Sequence, residues 1–340
     1  MQLNKALSRL SNQSGPVDST KDMTKILNSK PERKPKPSPE PKVFSLVSNE
    51  KLIAIYTSMI KCRMLEQRAT SLFQQGKLAV DLHVSSGREA ASAALAIDLL
   101  PSDTLSPLSG DWLPAFVKGM ALDTLFRTLV SPSRQGSAQS ISTAPDLEQK
   151  NILAVDEAHR PESVHERAVA AQAAKEGAIV AAIVPSAEES LQTWHSLLAA
   201  AASQKLPLVC LHYAAGASQP TDTPVNRKVK SPEALFHGIP AIAADANDAV
   251  AVYRVSYEAI IRARQGRGAT LIECLADVGP SIHRNENAAE PSAANPASAD
   301  PVTFMGIYLK SKGIEPEQYC QQIVTSFNRD LELATRFLDQ

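Results

Sequence analysis

Two hydrophobic rhythms, an unbroken apolar run and a helical period, alternate along this chain, and the clearest passage runs from Ala178 to Gly216. Ala178–Val184 (AIVAAIV) is apolar without alternation and rich in Val and Ile, the pattern of a strand buried on both faces of a parallel sheet. PSAEESLQTWHSLLAAAASQK then supplies a crossover helix. Ser186 and Glu189 form its capping box, and Leu191, Trp194, His195, Leu198, Ala201 and Ala202 share one face. The chain returns along Leu208–Tyr213, completing strand, helix, strand.

The same rhythms extend in both directions. Upstream, Leu52, Ile55, Tyr56, Met59, Ile60, Leu72 and Phe73 predict a long amphipathic helix over Asn49–Gly76, with Gly76 as its stop. An Ala-rich helix opens after Gly87 and ends before Pro101, and Trp112–Lys118 and Leu122–Leu129 also have helical spacing. Ser131–Lys150 has no period and is expected as loop. A second capping box, Ser163 with Glu166, is expected to open VHERAVAAQAAKEG.

Beyond a loop-like stretch after Gly216, HGIPAIAAD predicts a short strand. A helix follows, capped by Asn247 or Asp248 and buried through Val250, Tyr253, Tyr257, Ile260 and Ile261; Gly266 or Gly268 ends it. Thr270–Leu275 is the next strand, residues 281–300 are low-complexity loop, and two helices close the chain, from about Pro301 to Lys312 and Glu315 to Leu338. Alternating strands and helices predict an α/β fold, a doubly wound parallel sheet flanked by helices.

Composition adds one boundary. Lys30–Lys42 (KPERKPKPSPEPK) holds five prolines among five basic and two acidic residues, so residues 1–45 are expected as a disordered Pro/Lys-rich leader and 46–340 as the folded domain. With 35 basic and 36 acidic side chains and a net charge of −1, nothing favours a nucleic-acid partner. No apolar run approaches the roughly 18 residues that cross a bilayer, so no membrane partner is expected and the cytoplasm is the expected location. Cys62, Cys210, Cys274 and Cys320 stand singly and are expected as small buried hydrophobes.

Candidate chemistry is sparse. Ile152–His159 (ILAVDEAH) copies a helicase Asp-Glu motif, but no G-x-x-x-x-G-K-S/T accompanies it and the match is taken as coincidence. Neither H-E-x-x-H nor G-x-S-x-G occurs. His195, on its helix's apolar stripe, is expected as a core histidine. Ligands of open parallel sheets collect at the strands' carboxyl ends, where a helix N-terminus favours an anion. Pro185, Ser186, Ala187, Glu188 and Glu189 stand there, with no glycine to admit a phosphate and two carboxylates to oppose it.

Over residues 50–338 the chain resembles the alpha subunit of the decarboxylating component of 2-oxo acid dehydrogenase complexes, which act with thiamine diphosphate on pyruvate or branched-chain 2-oxo acids. YTSMIKCRMLEQRATSLFQQGKL, LHVSSGREAASAALAIDLLPSD, KLPLVCLHY, GIPAIAADANDAVAVYRVSYEAIIRARQGRGATLIE and DPVTFMGIYLKSKGI carry the resemblance, in order. It implies a thiamine-diphosphate-binding fold and a diphosphate and magnesium site made by Tyr-Arg, Gly-Asp-Gly and Asn-Asn motifs.

At the matching positions this chain has Ser109, Gly110, Asp111 and Trp112 for Tyr-Arg-Asp-His; Pro185, Ser186 and Ala187 for Gly-Asp-Gly; and Ala214, Ala215 and Gly216 for Asn-Asn-Gly. Only Asp111 and Gly216 survive. Three lost charge-assisted contacts amount to about 5 kcal/mol or more, several thousand-fold in affinity at about 1.4 kcal/mol per decade. Trp112 is bulky enough to fill vacated space. His83, Gly87 and Glu89 match the family's His-x-x-x-Gly-x-Glu, leaving His83 as a remnant of the active-site mouth.

The resemblance therefore implies a pseudoenzyme in which thiamine diphosphate and magnesium are not bound. Its partner would be a beta-type subunit or an intact alpha-type paralogue, in a hetero- or homo-oligomer. The alternative is an active oxidoreductase subunit with a rearranged cofactor site; a small-molecule sensor is a third expectation.

Overall fold

Ser48 starts the first helix: its hydroxyl accepts the Lys51 amide at 3.2 Å, and α1 runs over Asn49–Gln74. The structure is a computed structural model, and it describes residues 47–79, 88–108, 111–130, 145–154, 160–184, 188–214, 238–275 and 300–339, with the side chains of 188–193 and 214 excepted. The leader expected over residues 1–45 lies outside the described residues.

Leu52, Ile55, Tyr56, Met59, Ile60, Leu65 and Leu72 are buried along α1, whereas Phe73, expected on that face, is 37% exposed. The helix is ending there: Gly76 takes φ +66°, which a side chain would disfavour. In α2 (Arg88–Ala96) Glu89 and every later residue are buried, because a run of alanines lets neighbouring helices approach closely. The Glu89 carboxylate is neutralised there by Arg63 of α1, which also binds Asp300. Asp300 in turn caps the helix that opens at Pro301, accepting the Thr303 amide at 2.9 Å.

Five parallel strands form one sheet in the order β1-β2-β3-β5-β4: β1 Thr104–Ser106, β2 Val180–Val184, β3 Leu208–Ala214, β4 Ala241–Asp245 and β5 Thr270–Leu275. The three residues of β1 are too few to carry a period, and the sequence pattern predicts no strand there. Ile152 bridges Leu105 in parallel and extends that edge.

Between β1 and β2 come α3 (Leu113–Lys118), α4 (Leu122–Leu129), α5 (Pro145–Gln149) and α6 (Pro161–Ala174). The described part of the expected Ser131–Lys150 loop thus contains a short helix. α6 begins earlier than its expected capping box, with Pro161 in the first turn and no side-chain cap from Arg160. Crossovers α7 (Glu188–Gln204) and α8 (Ala249–Arg264) follow, and α9 (Pro301–Ser311) and α10 (Pro316–Thr335) close the chain before a last 3-10 turn.

Helices cover both faces. α6 and α7 bury Val164, Trp194, Leu198 and Ala201 against Val180, Ala182, Val184, Leu208 and Cys210. The opposite face carries Ile183, Val209, Leu211, Tyr213 and Ile272 under α1, α2, α8 and α9. Every residue of β2 is buried, and each large aliphatic side chain there contributes about 1.5–3 kcal/mol. Asp248 caps α8 through the amides of Val250 and Ala251 at 3.0 and 2.9 Å. On α8 the expected apolar face is narrower than its spacing suggested: Tyr257 is 45% exposed and Val250 and Ile261 are half-buried.

A fully buried carboxylate, Asp103, fastens the amino end of the sheet. It accepts the amides of Leu100 (2.6 Å) and Ile179 (3.1 Å) and a two-pronged contact from Arg264, at 3.0 and 2.7 Å. One Arg264 nitrogen also donates to the Gly177 carbonyl at 3.0 Å. The end of α8 is thereby locked to the starts of β1 and β2.

Candidate functional site

The carboxyl edge of the sheet is where β2 ends at Val184 and β3 at Ala214. Of the residues expected to mark a site there, His83, Ser109, Gly110, Pro185, Ser186, Ala187 and Gly216 lie outside the described residues, as do Gly87 and residues 155–159 of the helicase-like run. Trp112 and the backbone of Ala214 are described. Ala214 is the last residue of β3 and pairs with Leu275. Trp112 precedes α3 and is 2% exposed, its indole buried among Leu65, Leu105, Leu113 and Phe126.

Beside Trp112 the structure assembles side chains from three elements. Asp111 is 1% exposed, its amide donating to the Leu108 carbonyl at 2.9 Å. Neither of its carboxylate oxygens has a hydrogen bond of ordinary geometry among the described residues. The nearest cation is Arg88, the first residue of α2, whose Nη1 is 4.0 Å from Asp111 Oδ2. The Arg88 guanidinium lies over the Tyr213 ring, 4.5 Å from its centroid, and the Tyr213 hydroxyl is 3.4 Å from the Ser92 hydroxyl.

Burial dominates the electrostatics. It raises the Asp111 carboxyl from 3.8 to about 6, against the opposing pull of Arg88 and the Leu113 amide. Tyr213 is pushed well up, first by burial and then by the charge of Asp111. Cys62, on the facing side of α1, is raised by burial and by the Glu89 and Asp111 carboxylates. The thiol is therefore protonated at neutral pH and packs as a small apolar group, like buried Cys210 and Cys274, each pushed up to about 12. Cys320 is only half-buried.

On the other face of the sheet, His212 of β3 and Glu273 of β5 are register partners. Both ring nitrogens of His212 are buried without a hydrogen-bond partner among the described residues, and burial lowers its pKa while raising that of Glu273. His195 is half-buried on α7 rather than fully in the core. Among the described residues no group of three or more His, Cys, Asp or Glu could hold a metal ion, and no helix is long and apolar enough to cross a membrane.

Comparison with known proteins gives these positions a context. The family model for the dehydrogenase E1 component matches residues 56–276, from the first turns of α1 to the end of β5. The chain belongs to the dehydrogenase E1 component family. It is similar to the 3-methyl-2-oxobutanoate dehydrogenase subunit alpha of Mycobacterium tuberculosis (strain ATCC 25618 / H37Rv), 26% identical over 299 residues that cover 84% of this chain and 78% of that protein. It is also similar to the 2-oxoisovalerate dehydrogenase subunit alpha of Bacillus subtilis (26% identical; 82% of this chain, 87% of that one). The pyruvate dehydrogenase E1 component subunit alpha of Staphylococcus aureus is 25% identical over 86% of this chain and 79% of its own length. A solved structure from Mycobacterium smegmatis overlaps at a TM-score of 0.33 with 14% identity, over 57% of this chain and 32% of that one.

Sequence reasoning does not single out Arg88, Ser92 or Tyr213 of this E1-family chain. Arg88 stands between Gly87 and Glu89, the two positions that match a family motif, and its neighbour Tyr213 lies on a strand more than a hundred residues away. Only the fold brings them together.

Proposed function

We propose that this chain is an alpha-type E1 subunit that holds no thiamine diphosphate of its own and acts as a structural or regulatory partner of a beta-type subunit or an intact alpha-type paralogue. The observation that carries it is Asp111: a buried carboxylate, with no cation closer than Arg88 at 4.0 Å among the described residues, beside the position where the family arginine is replaced by Gly110. A diphosphate needs cations and N–H donors at this edge, and magnesium needs hard oxygen ligands. Apart from Asp111 and Trp112, the aligned residues supply two glycines, a proline and three alanines, with hydroxyls only from Ser109 and Ser186. Trp112 packs into the core rather than lining an open site. The donor set does not fit the cofactor.

The second reading, an active subunit with a rearranged site, has Arg88 in its favour, a guanidinium at the carboxyl edge that is still 25% exposed. Both are tested by recovering the native assembly through a tag on this chain and titrating thiamine diphosphate with magnesium, followed by calorimetry and by 2-oxo acid turnover. A co-purifying partner with no binding that tracks this chain's stoichiometry is the expected result. Saturable binding at one equivalent per chain, lost on Arg88→Gln, overturns the proposal in favour of the second reading.

A further inference from the structure

Arg88, beside Asp111 and Tyr213, already has a counter-charge supplied by the fold. Its flat face is taken by the Tyr213 ring at 4.5 Å, which leaves the N–H groups around its rim as its polar contacts. Along that rim stands Asp111, with Oδ2 at 4.0 Å from Nη1. The Asp111 backbone is anchored by its amide on the Leu108 carbonyl, just before the start of α3, and its carboxylate is buried. Among the described residues the titratable groups around it are Arg88 of α2, Tyr213 of β3 and Cys62 of α1, and of these only Arg88 is positively charged. An anion approaching Arg88 from its exposed side meets a guanidinium that already faces a buried negative charge at ion-pair distance.

We propose that Asp111 is a built-in anion, taking on Arg88 the place that a phosphate oxygen would otherwise fill, so that the chain's own ion pair closes this edge to polyphosphates. The proposal rests on the chain holding no cofactor. It goes further in naming the residue that keeps Arg88 engaged, and in assigning that guanidinium a latent preference for phosphate-type anions that a single substitution exposes.

The test uses the full chain in its native assembly, with inorganic pyrophosphate and magnesium as the probe. Asp111→Asn preserves shape and removes the charge. The unmodified chain gives no saturable heat; Asp111→Asn binds pyrophosphate at least ~tenfold more tightly, and adding Arg88→Gln abolishes the gain. Equal binding by the unmodified chain and Asp111→Asn, or a gain that survives Arg88→Gln, overturns the proposal.

Should Asp111→Asn fail to fold, the unmodified chain carries the test through pH. Sulfate is dianionic across the range, and Asp111 is mostly protonated at pH values well below about 6. The rise in melting temperature with sulfate should then exceed that of Arg88→Gln at about pH 5 and match it at about pH 8. Equal rises at both pH values refute the ion pair's role. Thiamine diphosphate binding to the unmodified assembly would instead defeat the cofactor-free function, while a silent Asp111→Asn defeats only the built-in anion.

Discussion

Replacing Asp111 by Asn should stabilise the chain, and the gain should depend on pH with a defined sign. The carboxyl is an acid whose folded-state pKa is raised, from 3.8 to about 6. Between those values the native state binds more protons than the unfolded chain, so stability falls as pH rises through the window and the penalty is complete above the folded-state value. At about 1.36 kcal/mol per pH unit the ionised carboxylate costs roughly 3 kcal/mol at neutral pH. The group is 1% exposed, so solvent screening removes little of this.

Asn keeps the shape and cannot ionise. Urea unfolding of the unmodified chain and Asp111→Asn at about pH 7.5 should separate their midpoints in favour of Asn by a free energy of about 2–3 kcal/mol, and the two should converge near pH 4. A variant less stable than the parent at pH 7.5, or a difference that does not change between the two pH values, would refute the picture of an under-compensated buried charge.

Arg88→Gln removes the nearest compensating cation and should destabilise at about pH 7.5 while having little effect near pH 4, where Asp111 is protonated; the same urea series reads it. Arg264→Met leaves the Asp103 carboxylate buried with two amide donors and should cost about 3–5 kcal/mol, with a thermal midpoint lower by several degrees. A double-mutant cycle with Asp103→Asn should show coupling of about 1–3 kcal/mol, and strict additivity would mean the clasp is not a unit. Asp248→Ala strips α8 of the cap that accepts the amides of Val250 and Ala251, and urea unfolding should register a loss of about 1 kcal/mol. Trp112→Ala empties a buried indole site and should cost about 3–5 kcal/mol, without opening pyrophosphate binding, because Arg88 stays engaged by Asp111.

Elements with long periods are legible in the order of residues alone. The Val/Ile-rich run at β2 needs only its unbroken apolar character, the Thr270–Leu275 strand only its mostly apolar run after Gly268, and α1 and α8 only their spacing and caps. Where two local signals compete, one of them wins: Pro161 rather than the Ser163 capping box opens α6, since proline suits a first turn that needs no amide donor. Phe73 and Tyr257 follow the helical period yet face outward, because each helix presents a narrower stripe to its neighbours than its sequence allows. The strand at Thr104–Ser106 carries no readable signal in three residues, and it exists because β2 offers it a partner edge.

The sequence by itself determined the α/β class, the crossovers, the family motifs in their order and the loss of side chains at the matching positions, because each of these is a property of neighbours along the chain. The tertiary structure alone decided what became of the charges. Ser92 and Tyr213 meet across 121 positions, Arg264 reaches back 161 positions to Asp103, and Arg88 meets Asp111 only because the N-terminus of α2 and the start of α3 reach the same end of the sheet. Burial and the distance to the nearest cation set whether a carboxylate stabilises or strains a fold, and both are quantities of space rather than of sequence.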